Sequence, residues 1–207
     1  NKDCKDHSEE EVHAEEIQER LIIAMGRCIM SIRETVKRLC SKYDTMNPYE
    51  LARCLGIDII YQELGQVRGY YFCQNRIKLI YINNNLADYT ERFVLAHELG
   101  HAVLHAKADI KQFHDFGLFD ESSIMEKEAN LFAAEYLLDD EEVLETLNQD
   151  TTFFTAAAKL YVPMELLDFK FRVMKWKGYK LTEPPINARS NFLKDMVLPD
   201  DADYYGE

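Results

Sequence analysis

The chain has no Cys-x-x-Cys pair, no apolar run long enough to cross a bilayer, no evident export signal, no internal repeat and no excess of positive charge. Each absence excludes something. The five cysteines, Cys4, Cys28, Cys40, Cys54 and Cys73, are odd in number and scattered, which suits a reducing compartment and makes them poor zinc ligands. The aliphatic stretch Leu21-Ile22-Ile23-Ala24-Met25-Gly26 is far shorter than the roughly 20 residues of a spanning helix and runs into Arg27. The expectation is a cytoplasmic protein with no membrane partner. A formal net charge of -13 repels phosphate, so nucleic acid is not an expected partner either. What is present is a chain of 207 residues that is 47% hydrophobic, enough to bury a substantial core.

The residues richest in chemistry are His97-Glu98-Leu99-Gly100-His101, inside the run from Arg92 to His105. Two histidines four apart on a helix share a face, so both imidazoles can reach one ion while the glutamate beside the first holds a water against it. That is the pattern of a zinc hydrolase site. The helix itself is expected to start near Tyr89, with Asp88 and Glu91 spaced as a cap and its reciprocal partner. At 100° per residue, Leu95, Leu99, Ala102, Val103 and Ala106 gather on a core side, and His97, His101 and His105 on another, with Glu98 at its margin.

A catalytic zinc site usually has three protein ligands and an open position. His105 lies about 12 Å along a straight helix from His97, and no glycine breaks the helix to swing it back, so it is not expected to be the third. Better candidates lie in a second helix over Ser122 to Leu138, with serines available to cap it. There Glu126 shares a face with Ala129, Asn130, Ala133 and Leu137, and Glu128 points with Glu135 to roughly the opposite side. The alanines permit close packing against Gly100, which favours Glu126. Two alternatives stand beside it: Ser123 and Glu126 also have capping-box spacing, and Glu128 is a second possible ligand. Asn130, one turn beyond Glu126, is placed to hydrogen-bond a ligand histidine.

Around this site, Arg68–Cys73 and Arg76–Ile82 read as an antiparallel hairpin turning at Gln74-Asn75, and Ile57–Glu63, after a helix stop at Gly56, as a third strand. An exposed edge of that sheet is suited to holding an extended peptide. Upstream, Ile17, Leu21, Cys28, Ile32, Val36 and Leu39 recur at helical intervals from about Glu15 to Lys42, as one helix or two. Downstream, Thr155–Tyr161 and Met164–Trp176, separated near Val162-Pro163, suggest two short helices. Lys170, Arg172, Lys175, Lys177 and Lys180 give that end a basic patch, whose helix-turn-helix reading is opposed by the charge of the whole chain.

The run from Arg92 to His105, the segment Glu126 to Ala134, Asn47-Pro48-Tyr49-Glu50-Leu51-Ala52 and Ile77 to Asn83, in that family's order, resemble the ImmA/IrrE metallopeptidases. The resemblance implies a zincin-like α+β fold with a small, mostly antiparallel sheet packed on helices, an N-terminal helix and a C-terminal helical pair. It implies Zn2+ held by His97, His101 and Glu126, with Glu98 as general base. It also implies a protein substrate, a helix-turn-helix repressor of a phage, mobile element or stress response. One departure stands out: where the family often has Met-Pro after the second helix, this chain has Asp139-Asp140. The expected organisation is an acidic arm over 1–14, a metallopeptidase domain over 15–180 and an extended acidic tail over 181–207. A zinc-binding module that regulates a partner without cutting it is the alternative function.

Overall fold

A computed structural model describes residues 3–105, 121–148 and 151–192. Its N-terminal half begins with one long helix, α1 (Asp3–Tyr43), followed by a short α2 (Pro48–Cys54). Of the two possibilities for the upstream segment the single helix holds, and it runs back through most of the stretch expected as an arm. Its last turns supply Ile29, Ile32, Val36 and Leu39 to the core. Asn47 caps α2 by accepting the Tyr49 N–H, Pro48 occupies the first turn where its missing N–H costs nothing, and Gly56 ends the segment at φ +65°.

The three strands are β1 (Asp58–Gln62), β2 (Gly69–Gln74) and β3 (Ile77–Asn83), in the spatial order β1-β3-β2. β2 and β3 form the expected hairpin, but it turns one residue later than expected, at Asn75 and Arg76, both at positive φ. Asparagine tolerates that conformation, which matches the twist of the flanking strands. The sheet is mixed, because β1 pairs with β3 in parallel. The chain leaves β1, skips one strand position, and lays β3 into the gap. The Asn83 side chain holds the skipping loop, donating to the carbonyls of Gly65 and Val67, at 2.9 Å each.

Helices α3 (Asp88–Leu104) and α4 (Glu121–Leu137) carry the motif residues and pack tightly on each other. A methyl group on Gly100 would meet Ala129 Cα at 3.0 Å and its carbonyl oxygen at 3.2 Å. Glycine and alanine thus bring the two backbones together, as their small size leads one to expect. The expected cap of α3 is not formed. Ala87 is the N-cap, with no side-chain hydrogen bond, and Asp88 and Glu91 lie in the first turn, where acids suit the helix dipole. Glu91 instead accepts the hydroxyls of Tyr49 and Tyr61. The capping-box explanation of Glu126 is also set aside, because α4 has already begun at Glu121, before Ser123.

Three more helices close the molecule: α5 (Asp140–Leu147), α6 (Phe153–Lys159) and α7 (Met164–Trp176). Asp139 accepts the Glu141 and Glu142 N–H groups as the N-cap of α5, which gives the Asp139-Asp140 departure a local reason. Asp140 goes inward: Lys170 and Lys177 of the C-terminal end both reach Asp140 and Glu135, at 2.6–2.9 Å. Arg172 pairs with Asp168 and Lys175 with Glu183. Four of the five residues of the basic patch are therefore neutralised within the chain, which removes the main support for a DNA-reading surface.

Residues 181–192 carry no helix or strand up to their last turn, yet they are docked. Asp168 accepts the Ala188 N–H, Arg172 donates to the Ala188 carbonyl, and Phe192 stacks on Phe93 at 5.4 Å between ring centres. Phe192 is 5% exposed, so this part of the expected tail is a strap over the core. The remainder of that tail, 193–207, lies outside the described residues.

Candidate metal centre

α3 places His97 and His101 one turn apart on the side that faces α4, and Glu126 comes from the opposing first turns of α4. His97 Nε2 lies 3.1 Å from His101 Nε2, and the Glu126 carboxylate is 3.3 Å from the first and 3.5 Å from the second. One ligand atom from each residue lies within 4.8 Å of the other two. Both histidines are buried and Glu126 is partly so. Burial pushes the Glu126 carboxyl up, but the His101 and His97 imidazoles, whenever they carry a proton toward it, outweigh burial and hold the group well below the usual carboxylate range.

Asn130 faces the back of His97. Its Oδ1 lies 2.8 Å from His97 Nδ1, and its Nδ2 donates to the Ser190 carbonyl at 2.7 Å. A main-chain carbonyl can only accept, which fixes the orientation of the amide. Oδ1 must then accept from His97, so Nδ1 carries the proton and Nε2 presents a lone pair to the cluster. With the Glu126 carboxylate beside it, and the His101 imidazole once that ring also turns a lone pair inward, the cluster is a group of acceptors. A divalent cation satisfies such a group.

Glu98 lies on the same helix, turned toward the sheet. Its Oε2 accepts the Tyr71 N–H of β2 at 2.8 Å, and Oε1 takes no hydrogen bond among the described residues. Burial pushes the Glu98 carboxyl up to about 7, the charge of Glu126 adds to the rise, and His101 and the Tyr71 N–H act against it. A carboxyl poised there can exchange a proton near neutral pH.

Every residue expected at the centre is brought to it, but Glu128 behaves differently from its expected position. It does not point away from α3: its Oε2 is 2.8 Å from His105 Nε2, and its Oε1 accepts from Cys28 of α1. Glu135 does turn away, toward Arg33, Lys170 and Lys177. Tyr70 stacks on Tyr81, and Tyr89 meets Tyr161 edge to face. Two contributors were not foreseen, the Tyr71 N–H and the Ser190 carbonyl. Both are main-chain groups and carry no residue signature, although Phe192 in a polar stretch was a signal that the strap docks.

A family model described as the IrrE N-terminal-like domain matches residues 52–172, which include α3, α4 and the whole cluster. The chain is similar to the Uncharacterized immunity region protein 2 of Bacillus phage phi105, at 41% identity over 140 residues, or 67% of this chain and 88% of that protein. It is also similar to Metallopeptidase ImmA of Bacillus subtilis (strain 168), at 33% identity over 147 residues, covering 67% of this chain and 83% of the relative. Taken with the fold, these matches establish that the chain belongs to the ImmA/IrrE family of metallopeptidases.

Proposed function

We propose that this chain is a zinc-dependent endopeptidase that makes site-specific cuts in a regulatory protein, a helix-turn-helix repressor of a phage or mobile element. The observation that carries the reading is the acceptor cluster of His97, His101 and Glu126 with the raised carboxyl of Glu98 beside it. The 3.1 Å between the two imidazole nitrogens is near the roughly 3.3 Å spanned by two zinc–nitrogen bonds at a tetrahedral centre. Two nitrogens and a carboxylate also suit zinc better than the hard cations. The repressor as substrate is supported by the relatives, one named for a phage immunity region and one for ImmA.

Zinc, when held by His97, His101 and Glu126, supplies Lewis acidity and lowers the pKa of a water toward neutrality. Glu98 takes the proton of the attacking water at Oε1 and returns it to the leaving amine. The Tyr71 N–H holds Oε2 and so keeps that carboxylate facing the site. β2 is an edge strand, and its Tyr71 N–H points away from β3 toward Glu98. An extended peptide added along that edge would pass directly beside the general base.

The test is co-expression of the chain with a repressor encoded beside it, with and without Glu98→Gln. Wild type should yield a discrete repressor fragment. Loss of the general base should lower cleavage by about 10²- to 10⁴-fold, with zinc content unchanged. Derepression that persists in the glutamine variant with the repressor intact would instead select the non-cutting, partner-binding module.

A further inference from the structure

Asn130 accounts for one ligand histidine, and a separate chain of hydrogen bonds ends on the other. His101 Nδ1 lies 3.2 Å from His105 Nδ1, His105 Nε2 lies 2.8 Å from Glu128 Oε2, and Cys28 Sγ donates to Glu128 Oε1 at 3.1 Å. The His105 side chain is only 8% exposed, so water does not readily replace these partners. Glu128 follows Glu126 by two residues on α4, which sends one carboxylate to the cluster and the other to the end of α3.

Protons can be assigned along this chain in order. A carboxylate accepts only, so His105 donates from Nε2 and carries a lone pair on Nδ1. His101 then donates from Nδ1, and its Nε2 faces His97 and Glu126 with a lone pair. The opposite assignment fails: a His105 protonated on both nitrogens forces His101 Nδ1 to accept, and the hydrogen on His101 Nε2 then closes that position to a cation.

We infer that His105 and Glu128 are positioning residues that hold His101 in the tautomer and orientation able to bind the metal, with Cys28 tying the relay to α1. The inference rests on the metal centre proposed above. It differs from a plain ion pair between α3 and α4, which would add stability without favouring metal at His101.

Zinc affinity of the full chain, measured by competition with a chromogenic chelator, separates the two. His105→Asn keeps an acceptor oxygen where Nδ1 stands, whereas His105→Leu keeps none. The leucine variant should bind zinc about 10- to 100-fold more weakly and shift the visible spectrum of the cobalt-substituted protein, and the asparagine variant should stay close to wild type in both. A measurement without any variant guards against misfolding: long-range ¹H–¹⁵N spectra of the zinc-loaded wild type should show His105 protonated on Nε2. Wild-type affinity in the leucine variant, equal weakening in both variants, or a proton on His105 Nδ1 would overturn the relay and leave the metal centre standing. A wild-type chain without zinc affinity would overturn both.

Discussion

Asn130 bonds in two directions, to the His97 imidazole and to a main-chain carbonyl of the strap, with no exposed surface of its own. Asn130→Leu leaves His97 Nδ1–H buried without an acceptor, and should weaken zinc binding about 10- to 100-fold, read by the same chelator competition. Cys28 gives a prediction of a different kind. Burial and then the hydrogen bond to Glu128 push its thiol up to about 12, so almost none is thiolate at pH 8. Native-state alkylation at that pH, followed by mass spectrometry, should modify the exposed Cys54 long before Cys28. At this scale the sequence was legible wherever a side chain acts through helical spacing. His97, His101, Glu98, Glu126 and Asn130 could be found that way. Glu128 could not, because its partner depends on where the end of α3 falls against α4, which periodicity does not report.

Among the elements, the contact of α3 with α4 sets the cluster, and Gly100 against Ala129 sets that contact. Gly100→Ala pushes a methyl into a neighbouring backbone that cannot turn aside. It should cost about 1–3 kcal/mol in urea unfolding, and weaken metal binding because Glu126 recedes from the histidines. The buried charges joining α4, α5 and α7 give a second prediction. Glu135→Leu leaves Lys170 and Lys177 with Asp140 alone, and removing one partner of a buried ionic group costs about 3–5 kcal/mol. Asp140 adds a pH dependence. Burial raises its carboxyl, but Lys170 and Lys177 outweigh that and hold it below its ordinary range. A depressed folded pKa stabilises above the unfolded value of about 3.9 and is lost as pH falls below it. Asp140→Asn should therefore narrow the stability difference between pH 6 and pH 3, measured by thermal melts. Element types were readable from the pattern of apolar residues, including the helix pair and the hairpin. The parallel pairing of β1 was not, because strand order is decided by a loop whose anchor, Asn83, lies 16 or more residues away.

For the whole molecule, the proposed centre links metal and fold. The centre draws residues from α3 and α4, both central to the core, so zinc bound at 1,000 times its dissociation constant should add about 4 kcal/mol to stability. A melt in the presence and absence of chelator measures that gain. The family could be inferred from motifs in order, whereas the docking of residues 181–192 left only the single hint of Phe192, since a Pro-containing polar stretch gives no periodic signal. That strap has one more consequence. Asn130 reaches Ser190 through its peptide oxygen, and a main-chain oxygen is placed by distance along the chain. Ala188 is pinned by Asp168 and Arg172, Phe192 is seated beside Phe93, and the oxygen must fall between them. Deleting the single residue Arg189 should carry the oxygen away from Asn130 and release a histidine whose own codon, and whose every neighbour on α3, had not changed.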